Sequence, residues 1–381
     1  MTHTSTLSSS ERERYSRHLM LPEIGSAGQE KLKAARVLVV GAGGLGSPAS
    51  LYLAAAGVGT LGIVDHDRVD LSNLQRQLLF DTASVGTAKA LSAQTRLTAL
   101  NTEIRVIAHD LELRADNALS LLGDYDVILD GSDRLSTRYL VNDACVLLKR
   151  PLVSAAIHRF EGQAMTYVPG AAPCYRCLFP QAEEAIVPNC ATAGVLGVLP
   201  GMLGTVQAAE AIKLILHLGS PLTGRLLTFD ALSMQWREFR FARRADCAVC
   251  GTRPTITSLQ TTASVLPRPD QRWSPRQLRE RLDQAAAANS ALALIDVREP
   301  REFALAHLAG ATNIPLAQLP HRLSELASRR SVVFMCRSGG RSRAAWELAA
   351  RSGHTDIANL EGGLLGWAAT IDPTFSVAPF E

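Results

Sequence analysis

The reading of the first half of the chain turns on Arg36-Val37-Leu38-Val39-Val40-Gly41-Ala42-Gly43-Gly44-Leu45-Gly46. A five-residue run, apolar after Arg36 and stopped by glycine, is too short for a helix and reads as a buried strand. The glycines permit a tight turn and let backbone N–H groups approach a phosphate at the start of a helix. Such a helix follows in the small-residue run Gly46–Ala56. Gly41, Gly43, Gly44 and Gly46 are therefore candidate phosphate-cradle residues, the bland alternative being a turn used only for close packing. Working outward, 61–65 is a second strand closing on Asp65, where a carboxylate can bind ribose hydroxyls. Segments 104–108, 125–130 and 151–156 repeat the strand pattern, alternating with helix-like runs. This alternation predicts a parallel sheet covered on both faces. Segments 163–168, 225–229 and 235–241 read as antiparallel additions, and 203–218 as a buried helix.

Composition sets the outer bounds. The chain has 381 residues, which suggests two or three domains. Its hydrophobic fraction of 47% is too high for a disordered chain. Lys+Arg 39 against Asp+Glu 36 gives a net charge of +3, too balanced for a general nucleic-acid binder. Seven cysteines are too few for a disulfide scaffold, and their odd number suggests separate tasks. The N-terminus lacks an apolar signal region. The uncharged stretch 189–209 is broken by Gly194, Gly197, Pro200, Gly201 and Gly204, favouring a loop feeding a helix over a bilayer span. The expectation is a soluble, cytoplasmic protein with neither a nucleic-acid nor a membrane partner.

The residues after Asp65 narrow the ligand. Ser72-Asn73-Leu74-Gln75-Arg76 follows, then Lys89. An Arg and a Lys near the phosphate end suit the charge of a triphosphate in phosphoryl or nucleotidyl transfer better than a nicotinamide. Asp133, after the strand 125–130, lies where open α/β sheets bind ligands, and a carboxylate there could hold Mg²⁺.

These motifs in this order resemble the adenylation domain of ubiquitin-activating-type enzymes, in particular the MoeB/ThiF group that activates sulfur carrier proteins. The resemblance runs from Arg12-Glu13-Arg14-Tyr15-Ser16-Arg17 to Cys250-Gly251, through GAGGLG, VDHDRVDLSNLQRQ and Gly131-Ser132-Asp133-Arg134. It implies that Gly44, Asp65, Asn73, Arg76, Lys89 and Asp133 contact ATP or its Mg²⁺, with Ser72, Leu74, Gln75 and Arg134 in the same binding motifs. It also implies that Arg14 reaches the ATP site of the partner subunit in a homodimer. Asp67 lies near the site without an assigned role.

Cys174-x-x-Cys177 and Cys247-x-x-Cys250 are two paired hooks that together could complete a tetrahedral zinc site. Four cysteine ligands leave no open position, so such a zinc is structural. Free thiols or a redox pair are the alternative, and the resemblance supports zinc. Cys190 stands apart in a Gly/Ala-rich stretch. In the resembling family this is the crossover-loop cysteine, with either a covalent relay or an ancillary role. Cys145, in an apolar run, reads as core.

Residues 252–269, rich in Thr, Ser and Pro, read as a mobile linker between an adenylation domain at 11–251 and a second α/β unit at 270–381. In that unit helices are read at 275–283, 321–328 and 341–351, and strands at 292–297 and 332–336. Cys336-Arg337-Ser338-Gly339-Gly340-Arg341-Ser342 follows a strand and opens a helix. Backbone N–H groups, the helix dipole and the charges of Arg337 and Arg341 would stabilise an anionic sulfur on Cys336. A phosphatase-type loop or a plain structural turn would have similar elements. The flanking Asp296-Val297-Arg298-Glu299-Pro300, His307-Leu308-Ala309-Gly310-Ala311 and Leu360-Glu361-Gly362-Gly363 resemble a rhodanese domain. Ala306 stands where that family commonly has Gly.

The combined expectation is an α/β protein: a Rossmann-like ATP-binding adenylation domain with a mixed sheet and structural zinc, plus a small α/β rhodanese domain. By the resemblance, ATP, Mg²⁺ and Zn²⁺ are its cofactors. Its partner is a small ubiquitin-like sulfur carrier ending in Gly-Gly. The sulfur donor is a cysteine desulfurase persulfide or thiosulfate. Cys336, Cys190, Arg76 and Arg341 are the expected catalytic residues, leading to a thiocarboxylate. Related activators serve molybdopterin, thiamine, cysteine, tRNA thiolation and specialised metabolites. Three other readings stand beside it: adenylation and thioester formation for protein conjugation, an oxidoreductase fused to a rhodanese, and a non-enzymatic docking module.

Overall fold

The computed structural model describes residues 7–170, 172–180, 194–259, 271–287, 292–326 and 331–377. The chain divides into two compact units, Met1–Thr261 and Thr262–Glu381. Cys190 lies outside the described residues.

The first unit is built on strands β1 (Arg36–Val40), β2 (Thr60–Val64), β3 (Arg105–His109), β4 (Val127–Asp130), β5 (Leu152–His158), β6 (Glu161–Tyr167), β7 (Arg225–Asp230) and β8 (Gln235–Arg240). They form one sheet in the order β3-β2-β1-β4-β5-β6-β7-β8. Pairs from β3 to β5 are parallel, and β5 through β8 are antiparallel. The alternation along β1 explains its unbroken apolar run. Val37 and Val39 enter one core cluster, and Leu38 and Val40 enter another on the opposite face. Both faces of the strand are covered, so neither can be polar. On one side lie the helices Gly46–Ala56, Lys89–Leu100 and Val198–Leu216; on the other lie Ala115–Gly123 and Leu135–Leu148.

The apolar helix begins at Val198, earlier than the glycine and proline content predicts. Pro200 sits in its first turn, where a missing N–H costs no helical hydrogen bond. By length and composition this helix could cross a membrane. Here it packs on β5 and on the helix Gly46–Ala56. Its buried Gln207 donates to the carbonyls of Asp130 and Val153 at 2.8 and 3.1 Å.

The second unit has strands β9 (Arg272–Trp273), β10 (Leu292–Asp296), β11 (Thr312–Asn313), β12 (Ser331–Met335) and β13 (Ile357–Leu360), in the order β11-β10-β12-β13-β9. All pairs are parallel. Sequence reading missed β9 and β11, two residues each, and β13, whose Asn359 interrupts the apolar pattern. It also placed a helix at 321–328. The chain instead forms a short helix at Leu319–Arg322, with Pro320 in its first turn, then a 3-10 turn at Leu323–Glu325.

Candidate functional site

In the first unit β1 and β4 are neighbours, and their connections leave in opposite directions across the sheet. That switch point opens a crevice at the strand C-termini. The turn after β1 and the turn after β4 meet there. Gly41 has φ +90°, and a Cβ on it would press on the Gly131 carbonyl oxygen at 3.1 Å. Gly46 has no room for a side chain, since a Cβ would sit 1.8 Å from the Gly41 oxygen. The glycines thus fold the loop tightly onto the start of the helix Gly46–Ala56.

Asp65, one residue beyond β2, accepts from the backbone N–H of Ala42 and of Asp67, each at 2.8 Å. Burial raises its carboxyl above the ordinary value, with Lys89 acting in the opposite sense. Lys89 is buried at the start of its helix, and its Nζ lies 3.3 Å from Asp67 Oδ2. Burial also pushes the Asp67 carboxyl up, but Lys89, His66 and Arg134 outweigh it and hold that group below its usual range. Asp67 therefore orients Lys89, a role that spacing alone left open.

The Ser72–Arg76 motif is a 3-10 turn over Leu71–Asn73, capped by Asp70, whose Oδ1 accepts from the Ser72 N–H at 2.8 Å and the Ser72 hydroxyl at 2.5 Å. Leu74 packs on the core beneath. Arg76 Nη1 donates to the Ser72 carbonyl at 3.0 Å, and its Cδ lies 3.7 Å from where a Cβ on Gly44 would be. Pro200 approaches the same point at 3.0 Å, and Gln75 backs onto Gly197. The apolar helix therefore forms one wall of the cradle, which no motif announces. Gln77, also missed, is buried beside Gly43. Asp133 and Arg134 are exposed on the turn after β4, and Arg134 lies 3.6 Å from Glu112. Arg14 is exposed and donates to the Leu100 carbonyl at 3.2 Å.

The four hook cysteines converge. Cys174 Sγ is 3.7 Å from Cys247 Sγ, Cys177 Sγ is 3.3 Å from Cys250 Sγ, and all four lie within 4.8 Å of one another. A tetrahedral zinc with Zn–S near 2.3 Å needs sulfurs about 3.8 Å apart, so the donor set fits. Burial pushes the Cys174 thiol well up, and its three cysteine neighbours add to that. Four sulfurs so close need a cation if they are to ionise together. The cluster is anchored to the helix Leu135–Leu148 through Asn142, which accepts from the Tyr175 N–H, and Asp143, which pairs with Arg176 at 2.7 Å. Cys145 is fully buried in that helix.

In the second unit Cys336 follows β12 and is 1% exposed. Its Sγ receives the Gly339 N–H at 3.1 Å and the Ser342 hydroxyl at 3.4 Å. Gly339 turns the chain at φ +96°, and Gly363 presses so close that a Cβ would meet the Cys336 carbonyl oxygen at 2.4 Å. The Gly339 N–H comes from the loop and the Ser342 hydroxyl from the first turn of the helix Gly340–Arg351 that the loop opens, as the strand–turn–helix pattern suggests. Arg341 does not extend freely into the loop mouth. Its guanidinium is gripped by both oxygens of buried Glu302, at 2.5 and 2.7 Å. Arg337 lies beside a small cavity lined by Leu305, Ala306 and Val377. Asp296 and Arg298 form a buried pair at 2.7 Å, and Arg298 also donates to the Ala306 carbonyl, which fits a supporting role. Ala306 has φ −163°, an extended conformation open to any residue, so glycine is not needed there.

The Glu302–Arg341 pair makes the second unit pH-sensitive in a stated direction. Burial opposes the Glu302 charge, but the hydrogen bonds from Arg341 and from the Glu299 N–H, with the charges of Arg341 and Arg298, together outweigh it and hold the carboxyl below its ordinary value. Stability from a depressed carboxyl is present above the unfolded value and lost as pH falls through the folded one. Glu302→Gln should cost about 2 kcal/mol at pH 7, and the gap to wild type should narrow as pH falls below the ordinary carboxylate range. Three of the four tryptophans, Trp273, Trp346 and Trp367, lie in this unit, so fluorescence-monitored unfolding reads it directly.

With this geometry in place, comparison with known proteins is decisive. The ThiF family model matches residues 15–249, and the rhodanese-like domain model matches 274–370. The probable adenylyltransferase/sulfurtransferase MoeZ of Mycobacterium tuberculosis is 44% identical over 97% of this chain and 96% of its own length. The chain belongs to the ThiF family and carries a rhodanese-like domain. It is an adenylyltransferase and sulfurtransferase, a ThiF-type enzyme that uses ATP. The adenylyltransferase and sulfurtransferase MOCS3 of Mus musculus is 42% identical over 97% of this chain and 88% of its own. Among solved structures, E. coli MccB with ATP shares 27% identity at a TM-score of 0.56, covering 64% of this chain and 75% of that one.

Proposed function

We propose that the first unit adenylates the C-terminal carboxylate of a small ubiquitin-like sulfur carrier ending in Gly-Gly, and that the second unit delivers sulfur to it from a Cys336 persulfide. The observation that carries the reading is the occurrence, in one chain, of a glycine cradle flanked by Arg76 and Lys89 and of a buried Cys336 whose sulfur receives the Gly339 N–H and the Ser342 hydroxyl. The match to ThiF-type enzymes supports a sulfur carrier as the partner, and the solved complex of MccB with ATP supports the crevice as the nucleotide site.

The cradle at the start of the helix Gly46–Ala56 suits phosphate oxygens, and Asp65 suits the ribose. Arg76 and Lys89 would neutralise phosphate charge as the carrier carboxylate attacks the α-phosphate and pyrophosphate leaves. Asp133 would hold Mg²⁺, which adds charge neutralisation on the phosphates. The resulting acyl-adenylate is electrophilic, with AMP as leaving group. Attack by the Cys336 persulfide expels AMP and leaves the acyl group disulfide-linked to Cys336. A second thiol, for which Cys190 is the proposed source, then releases the thiocarboxylate and forms a protein disulfide. Persulfide transfer to Cys190 before attack is the other order. The four-cysteine cluster would hold Zn²⁺, serving structure only. Arg14 would complete the nucleotide site of a second copy in a homodimer. The sulfur source would be thiosulfate or a cysteine desulfurase persulfide, and the setting cytoplasmic.

The test is ATP–pyrophosphate exchange dependent on a Gly-Gly-ending carrier, with intact mass of the carrier as the second readout. Wild type should show exchange and a sulfur-for-oxygen mass gain. Lys89→Met should lower exchange about 10²-fold, because a buried cation is lost from the phosphate site. Carrier-independent hydride transfer, or tight carrier binding without exchange, would overturn the reading.

A further inference from the structure

Gln77 is 4% exposed, and its side-chain oxygen Oε1 has no hydrogen-bond donor among the described residues. A buried carboxamide oxygen without a donor is costly, and native proteins rarely retain one without a use. The position does not require a polar side chain for folding. Its backbone N–H already donates to the Asn73 carbonyl at 3.0 Å, Leu79 and Phe80 after it are core residues, and Leu74 before it packs against the same core. An apolar side chain would therefore bury there at lower cost.

What sets Gln77 apart is its location. Its Nε2 is the nearest atom, at 3.8 Å, to where a Cβ on Gly43 would stand. The carboxamide thus lies against the glycine cradle, on the same turn as Arg76. A ligand seated in that cradle could supply the missing donor. Phosphate oxygens cannot, because they only accept, whereas the hydroxyls of a ribose can donate. Asp65, held by Ala42 of the same loop, marks the sugar side of the crevice.

We infer that Gln77 is a nucleotide-contacting residue whose Oε1 accepts a hydrogen bond from a ribose hydroxyl of the nucleotide in the glycine cradle. This rests on the nucleotide reading of the crevice. The carboxamide is held unpaired until the ligand arrives, so it discriminates for a hydroxylated sugar and adds nothing to the stability of the ligand-free chain.

The experiment is calorimetric binding of Mg·ATP and Mg·2′,3′-dideoxy-ATP to the full chain and to Gln77→Met, with the melting temperature of each ligand-free protein. Gln77→Leu serves as a second variant should Met pack poorly. The variant should bind ATP about 10-fold more weakly than wild type, the worth of one hydrogen bond to a buried group. The same substitution should change dideoxy-ATP binding by less than about threefold, since the hydroxyl partner is already gone. The ligand-free melting temperature should hold or rise. Unchanged ATP affinity, or an equal loss for both nucleotides, would overturn the inference, as would a lowered melting temperature with ATP affinity intact. Wild type that binds neither nucleotide would overturn the nucleotide reading instead.

Discussion

Cys336→Ala should lower thiocarboxylate formation at least about 10³-fold while leaving carrier-dependent ATP–pyrophosphate exchange within about twofold. The asymmetry follows from the division of labour. Cys336 is buried at the end of β12, where the Gly339 N–H and the Ser342 hydroxyl point at its sulfur. These donors would stabilise the Cys336 thiolate that takes up and releases the sulfur, and alanine offers nothing for them to stabilise. Folding should survive, because alanine fits the same space and the loop is held by Gly363 and by the Leu364 N–H on the Cys336 carbonyl. The groups proposed for adenylation all lie in the other unit. With thiosulfate as the only sulfur source, an undiminished mass gain on the carrier would sink the relay through Cys336.

Zinc removal should produce the second large effect, and on stability rather than on one chemical step. Cys174 is the N-cap of the short helix Tyr175–Leu178 and Cys177 lies within it, while Cys247 and Cys250 lie beyond β8. A bound ion would tie these distant segments together, and structural zinc sites in small domains can be worth roughly 10 kcal/mol or more. This unit also has a large core of its own, so a smaller loss, about 5 kcal/mol, is expected. Cys247→Ser, or exhaustive chelation, should remove one equivalent of zinc by elemental analysis. It should also lower the melting temperature of the first unit by more than about 10 °C. The second unit should melt unchanged, as read by its three tryptophans. A metal-free protein with unaltered melting would leave the cluster as four packed thiols.

The two halves differ in how readily their elements could be read. β1 was legible because both of its faces are buried, which forces an unbroken apolar run ended by glycine. β13 was not, since Asn359 sits inside it at 5% exposure. Pairing with β12 and β9, a long-range matter, makes that segment a strand. The start of the apolar helix was misplaced because Pro200 and Gly201 read locally as breakers. Packing against Gly44 and β5 favours helix there, and a proline in a first turn does not oppose it.

The cysteines show the same division. Paired spacing made Cys174, Cys177, Cys247 and Cys250 readable as hooks, because two thiolates three residues apart can always face one ion. That the hooks meet at 3.3–3.7 Å is decided by β8 returning the chain to the helix Leu135–Leu148. The loop after β12 likewise announces a candidate nucleophilic sulfur through its strand–turn–helix pattern, whereas the partner of Arg341 comes from Glu302, 39 residues earlier.

By itself, then, the sequence determined the element types wherever burial is two-sided, the glycine turn, and which groups are candidates for the chemistry, because these follow from local periodicity and side-chain chemistry. Only the tertiary structure decided that Asp67 orients Lys89, that Pro200 walls the cradle, that Glu302 takes the charge of Arg341 and that Gln77 lies buried with an oxygen unpaired. Those facts depend on which distant segments are brought within a few ångströms, and neither spacing nor composition encodes such a distance.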